Sequence, residues 1–146
     1  MSWLPVAGGG TPERLLATLA PAVAERLGAL TDGLRSPDAP GPVVLELCRR
    51  RIAMLHRWDP GPAPGPVPPA AQSAALAAWP TSPLFTDVER ACLGFAEQFV
   101  LDPHGMTDAA FADLRRRLEP RALATLALAV ATFDATMRFA VAMAAD

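Results

Sequence analysis

Residues 60–69 form the segment that most constrains how this 146-residue chain can fold, because eight of these ten residues are proline or glycine. Proline lacks the backbone N–H and is accepted in a helix only in the first turn, and it pushes the preceding residue away from helical angles. A helix therefore has to end near Trp58 and cannot resume before about Ala70. The composition of the segment favours a stiff polyproline II conformation over a flexible linker.

The sequences on both sides of this segment have helical patterns. Apolar residues make up 51% of the chain and aromatic residues only 6%, with no tyrosine, which suits helices better than strands. Helical spacing or a capping residue marks these stretches: after Thr11, over 22–34, 43–58 and 70–79, after Thr86, after Thr107, and from Pro120 to about Ala145. The sequence therefore predicts an all-α protein of about seven helices with no sheet.

The apolar spacing also predicts which residues lie on the inward face of a helix. The sets are Val23, Leu27, Leu30 and Leu34; Val44, Leu47, Cys48, Ile52 and Leu55; Val88, Cys92, Phe95, Ala96 and Phe99; and Phe111, Leu114 and Leu118. Each set repeats at three- and four-residue steps, so its members fall on one side of a helix.

The charge pattern argues against nucleic acid as a partner. The formal net charge is −2, which gives no overall attraction to a polyanion. Two arginine triplets, residues 49–51 and 115–117, are the basic runs. Three consecutive helical residues fan over about 200° of the helix surface, so neither triplet forms one patch.

A membrane span is not expected either. The candidate is 122–145, but Asp134 and Arg138 interrupt it, and the uninterrupted run 122–133 is 12 residues, too short to cross a bilayer. A buried core helix is the better interpretation. The first ten residues lack the basic and apolar regions of a signal peptide. With no C-x-x-C and no disulfide framework among two cysteines, we expect a cytoplasmic protein with reduced thiols.

Three segments carry a family resemblance. Residues 79–91 read W-P-T-S-P-L-F-T-D-V-E-R-A, residues 46–55 read E-L-C-R-R-R-I-A-M-L, and residues 134–138 of the Ala-rich last helix read D-A-T-M-R. They resemble the AhpD-like alkylhydroperoxidases of the carboxymuconolactone decarboxylase superfamily, where W-x-x-S-P-L-F-[ST]-x-x-E-R-A and N-A-W-N-R are usual. The resemblance covers roughly 21–145. It implies one AhpD-like domain over 1–146, with 1–20 as an N-terminal extension containing a short helix.

The peroxidase motif of that family is missing from this chain. Peroxidase-type members carry E-(x)11-C-x-x-C-x-x-x-H, in which an activated thiolate is resolved by a second thiol. Glu46 matches the glutamate, but the two cysteine positions fall on Trp58 and Gly61, and the histidine position on Gly65. The Pro/Gly-rich loop, residues 59–69, thus replaces the redox motif, and the chain has no C-x-x-C anywhere.

Glu46 and His56 are the candidate catalytic residues. Glu46 either serves as an acid/base carboxylate or forms a structural ion pair with Arg49, Arg50 or a neighbouring helix. His56 lies near the lost cysteine positions and either replaces them as a base or is a partly exposed residue at a helix end. Ten residues at a rise of 1.5 Å put the two about 15 Å apart, which argues against a direct dyad.

The other candidates are binding or packing residues. Trp58 either caps a ligand pocket, with Arg49 near it, or anchors the end of its helix. Asp134 and Arg138, at i,i+4 spacing, form either a simple ion pair or the floor of a polar pocket. His104 is expected to be exposed, and two histidines without ligand spacing predict neither a metal site nor a cofactor.

Three functional hypotheses follow. The favoured one is a non-peroxidase protein that binds a small organic ligand or a partner as a homo-oligomer, dimer or higher, as the resemblance implies. The second is a non-redox acid/base enzyme of decarboxylase, lactone or isomerase type that uses Glu46. The third is residual thiol-dependent peroxidase activity of peroxiredoxin type through Cys48 and Cys92, although both lie on apolar faces, where core packing is the simpler interpretation.

Overall fold

The computed structural model describes residues 12–37 and 39–144, and within these ranges the chain is all-α, with seven α-helices and no strand, as the sequence predicts. The helices are α1 Pro12–Leu19, α2 Pro21–Gly33, α3 Pro42–His56, α4 Ala70–Ala75, α5 Asp87–Leu101, α6 Asp108–Arg117 and α7 Pro120–Ala144. One-turn 3₁₀ helices follow α4 at Leu76–Ala78 and α5 at Pro103–Gly105. The predicted cap at Thr11 lies outside the described residues.

Local sequence explains where several helices begin. The Thr86 hydroxyl accepts from the Glu89 N–H while the Glu89 carboxylate accepts from the Thr86 N–H, which completes the predicted capping box of α5. Thr107 caps α6 through the Ala110 N–H. Proline stands in the first turn of α2 and of α3, where its missing N–H is harmless.

Helix α3 ends in a Schellman motif before the Pro/Gly-rich loop. Arg57 adopts the left-handed conformation at φ 55°, and its N–H bonds to the Met54 carbonyl, while the Trp58 N–H bonds to the Ala53 carbonyl. Helical structure resumes only at Ala70. The position of this break is the one that the proline content predicts.

The core lies where α3 packs against α5 and α7. Residues with 0% exposure come from all three helices: Leu47, Cys48 and Ile52 from α3, Cys92 and Leu93 from α5, and Leu126 and Val130 from α7. By length and composition α7 could cross a membrane. It also contacts α1 and α6, and Asp134 near its middle is bonded to α3, so the structure describes it as a core helix.

Two predicted inward faces are wrong in part. On α2 only the residue just after the helix, Leu34, is buried, whereas Val23 is 53% exposed and Leu30 37%. The reason is that α2 packs chiefly against α1 and lies outside the α3–α5–α7 core. On α6, Leu114 is buried but Phe111 is 42% exposed and touches Phe95 only edge-on, with ring centroids 6.3 Å apart.

The segment with the strongest family resemblance is fastened by its own polar residues. The Trp79 indole N–H and the Arg51 Nε–H both donate to Glu97 Oε2, at 2.7 and 2.9 Å. The Arg90 guanidinium donates to the carbonyls of Ser82 and Phe85. The tryptophan and arginine of this motif therefore hold the chain between α4 and α5 in place.

Glu97 should make the free energy of unfolding depend on pH in the acidic range. Burial alone raises its pKa, but hydrogen bonds from Arg51 and Trp79 outweigh this and hold the pKa below the ordinary 4.5. The stabilising effect is therefore complete above the ordinary pKa and disappears as the pH falls through the lower folded-state pKa. We expect Glu97→Gln to be less stable than wild type at pH 7, with the difference shrinking below pH 4.5 in urea unfolding; a difference independent of pH would contradict this.

Candidate functional site

Glu46 is buried at the centre of an arginine cluster. Its side chain is 5% exposed, and it accepts hydrogen bonds from Arg49 Nε and Nη2 and from Arg50 Nε, at 2.8, 3.0 and 2.8 Å. These are the ion pairs that the sequence offers as the structural alternative for Glu46. Three of the roughly four acceptor positions of this carboxylate are thus used by arginines.

Arg49 also holds the Pro/Gly-rich loop. Its Nη1 donates to the Pro60 carbonyl at 2.8 Å, and its Nη2 lies 3.2 and 3.3 Å from the carbonyls of Gly61 and Pro62. The side chain is 11% exposed. One guanidinium thus links the buried Glu46 to the loop that replaces the redox motif, and we call the group of Glu46, Arg49 and Arg50 the arginine cluster.

His56 does not approach Glu46 but bonds to α7. Its Nε2 lies 2.6 Å from Asp134 Oδ1, and Asp134 also accepts from Arg138 Nε at 3.0 Å. The predicted i,i+4 pair is therefore present and has a third member. Both His56 and Asp134 are about 15% exposed, and the group ties the end of α3 to α7.

Trp58 lies at an open cavity of about 280 Å³ next to the arginine cluster. Arg50, Met54, Trp58, Ser73 and Leu76 line it together with residues 59–61. The Arg50 Nη1 donates to the Ser73 hydroxyl at 3.0 Å, which joins α3 to α4 across this cavity. The positions that match both family cysteines, Trp58 and Gly61, are therefore in its wall.

The two cysteines lie elsewhere, in the core between α3 and α5. Both side chains are fully buried, and neither forms a disulfide bond. Burial raises the pKa of the Cys48 thiol well above its ordinary value, and the nearby Cys92 raises it further. Burial, with a smaller contribution from Glu89, raises the pKa of Cys92 to about 12. Because the thiolate is the nucleophile, neither group is poised for redox chemistry.

Other cavities lie away from the positions that match the family cysteines, among them one of about 610 Å³ lined by Glu119, Arg121 and residues 37, 39 and 40. A cleft of about 300 Å³ between α5 and α6 contains Arg90 and Asp113, but Arg90 serves the 82–85 turn and Asp113 pairs with Arg116 and Arg117. A space of about 50 Å³ beside Glu46 is too small for a metabolite. Within the described ranges, no three His, Cys, Asp or Glu side chains are grouped as a metal site.

No protein-family model matches this sequence, and no curated protein matches it. Among solved structures, the chain is similar to a protein of unknown function from Agrobacterium tumefaciens that is proposed to be the antioxidant defence protein AhpD. The TM-score is 0.74, and the superposition covers 89% of this chain and 93% of the other. The chain has an AhpD-like fold. At 19% identity the likeness concerns the fold and leaves open what this AhpD-like chain does.

Two features of the candidate site are not predicted from the sequence. A serine in an Ala-rich helix gives no indication of function, so Ser73 stands out only once α4 is placed against α3. The bond between His56 and Asp134 joins residues 78 positions apart, and neither the spacing nor the composition indicates it.

Proposed function

We propose that this AhpD-like chain binds a small organic ligand in the cavity beside Trp58, as a homo-oligomer without peroxidase activity. The observation that carries this proposal is the cavity of about 280 Å³ at the positions where the family has its cysteines. A guanidinium and a hydroxyl, from Arg50 and Ser73, stand there in place of thiols. The wall of this cavity is about equally polar and apolar, so it offers polar groups that could orient a ligand beside apolar surface that could bury part of it.

Thiol chemistry through Cys48 and Cys92 is the least favoured of the hypotheses. Both thiols are fully buried and have raised pKa values, so almost none of either is thiolate at neutral pH. A peroxidatic cysteine has to meet its peroxide, and both of these side chains are fully buried between α3 and α5.

Acid/base catalysis by Glu46 stays the second candidate function. Its support is that Arg50 connects the Glu46 carboxylate to the cavity, so a ligand that engages Arg50 could release Glu46. If the wild type turns over a lactone or a carboxylic acid, Glu46→Gln decides the role of Glu46. Loss of turnover in a variant whose unfolding curve shows that it is still folded at the assay temperature would support this candidate, and undiminished turnover would exclude it.

Association into a homo-oligomer is supported by apolar side chains left exposed on the outer helices. Leu128 of α7 is 49% exposed, and a groove between α6 and α7 is lined by Phe111, Arg115, Leu118, Leu123 and neighbouring proline and alanine residues. We expect sedimentation at twice the chain mass or more, and a shift to monomer in Leu128→Arg. The matched control is Leu84→Arg, at a similarly exposed leucine away from this groove; a monomeric wild type would contradict the proposal. A cytoplasmic location stays a prediction.

The ligand site is tested by two-dimensional amide NMR with a mixture of small aromatic and aliphatic acids, alcohols and amines. We expect saturable changes in amide chemical shift that are confined to residues 50–61 and 73–76, which surround the cavity. Trp58→Phe should weaken them. Saturable shifts confined to the α5–α6 cleft, or no shifts at all, would contradict a site beside Trp58.

A further inference from the structure

We propose that the ligand of this cavity is a small monocarboxylate whose carboxylate meets Arg50 and Ser73 and whose apolar body lies against Trp58. This inference rests on the proposed ligand-binding function and names the ligand class. Three observations carry it: the donors at the cavity, the charge around it, and its size.

The cavity has several hydrogen-bond donors without an acceptor. Arg50 uses Nε for Glu46 and one Nη1 N–H for Ser73, and among the described residues nothing accepts from its Nη2. The Ser73 hydroxyl accepts from Arg50, so its own hydrogen is left to donate. The Trp58 indole N–H likewise has no acceptor in the described part of the chain. These three donors fit an oxyanion, and the acceptor that opposes one in the cavity wall is the Asp59 carboxylate.

The charge around the cavity favours one negative group on the ligand. The arginine cluster contains two arginines and one glutamate, which leaves one positive charge next to the cavity. Asp59 lines the cavity as well and opposes an anion, but it is exposed, and one of its oxygens accepts from the Gly61 N–H at 2.9 Å. Solvent screens Asp59 more than the partly buried Arg50. A second anionic group would face Asp59 without a cation of its own.

The size and the remaining walls indicate the body of the ligand. About 280 Å³ is at the lower end for ligand pockets, which suits a molecule of roughly ten non-hydrogen atoms. Ala53, Met54, Trp58 and Leu76 supply apolar and aromatic surface. Benzoate has the required carboxylate, size and flat apolar ring, and it is the probe we choose.

The experiment compares benzoate with benzyl alcohol, which has a similar size and no charge, on the full-length wild-type protein. Binding is measured by calorimetry and by the fluorescence difference between wild type and Trp58→Phe. We expect benzoate to bind at least tenfold more tightly than benzyl alcohol, and inorganic phosphate to bind more weakly than benzoate.

Variants test the named groups. Ser73→Ala, which keeps the bond between Arg50 and Glu46, should lower the affinity for benzoate several-fold. Arg50→Gln should lower it at least tenfold. Thermal unfolding is recorded to confirm that each variant is folded. Asp59→Asn should raise the affinity for benzoate two- to fivefold, because it removes the opposing charge. Arg26→Gln, at an exposed arginine of α2 that lines neither this cavity nor the α6–α7 groove, should leave the affinity unchanged.

The outcomes separate the two proposals. Equal binding of benzoate and benzyl alcohol at Trp58 would overturn the carboxylate class and leave the ligand-binding function standing. Phosphate as tight as benzoate would also overturn it, since the site would then recognise an ion and not an apolar acid. If neither organic probe binds but other members of the wider mixture shift the amides around the cavity, the carboxylate class fails and ligand binding stands; if no compound shifts them, both proposals fail.

Discussion

Replacing Glu46 by glutamine is expected to destabilise the protein by about 3 kcal/mol, since breaking a buried ion pair leaves its partners uncompensated. Glu46 is 5% exposed and accepts all three of its hydrogen bonds from arginines, of which Arg49 is 11% exposed. A glutamine keeps the shape but turns two N–H groups toward other N–H donors and removes the negative charge. The free energy of unfolding from urea titration measures the loss.

A matched control separates this effect from the general effect of deleting a carboxylate. Asp113 also pairs with two arginines on its own helix, Arg116 and Arg117, but at the surface. Exposed pairs of this kind contribute little, so Asp113→Asn should change stability far less. An unfolding free energy of Glu46→Gln equal to that of wild type would contradict a structural role for the arginine cluster.

Arg49→Lys separates the two tasks of Arg49. A lysine retains a positive charge near Glu46 but cannot donate hydrogen bonds to the carboxylate and to three carbonyls at once. We expect a smaller loss of global stability than in Glu46→Gln, together with larger amide-exchange rates at Gly61 and Ala63. Unchanged exchange there would show that Arg49 does not hold the loop.

The second large effect is expected in the reactivity of the thiols. A pKa of about 12 against the ordinary 9.0 lowers the thiolate fraction of Cys92 at pH 8 about 1000-fold. Cys48 is shifted in the same direction and is equally buried. Native protein should therefore react with dithiobis-nitrobenzoate at least about 1000-fold more slowly than urea-unfolded protein, because both access and ionisation are lost.

An introduced surface thiol is the control for this labelling. Ala77 is exposed in the 3₁₀ turn after α4, so Ala77→Cys supplies one thiol in an open environment. This thiol should react with the reagent at the rate of a free thiol, while the two native cysteines do not react on the same timescale. Rapid labelling of wild type that disappears in Cys92→Ser or Cys48→Ser would contradict the burial of that thiol.

Local chemistry is the part of this structure that the sequence predicts well. The Thr86–Glu89 capping box, the Thr107 cap and the break after Trp58 depend on residues a few positions apart, and the structure has each of them. The exact end of α3 is harder to predict from the sequence, because Arg57 adopts the left-handed conformation that glycine usually adopts at the end of a helix.

Contacts between distant residues are what the sequence leaves open. Arg49 reaches carbonyls 11 to 13 residues ahead, and His56 meets Asp134 across two helices. Burial depends on neighbours in the same way: α2 has a regular apolar stripe, yet it packs mainly on α1 and leaves Val23 and Leu30 exposed. Periodicity shows that a helix has an apolar face, but not which surface covers it.

We propose that this chain of AhpD-like fold does not act as a thiol peroxidase and binds a ligand beside Trp58. The most direct test is reduction of an alkyl hydroperoxide by the purified wild-type protein with a dithiol as reductant, next to Cys48→Ser and Cys92→Ser. We predict that all three consume peroxide at the rate of the protein-free blank. Catalytic consumption by wild type that is abolished in either serine variant would contradict the account.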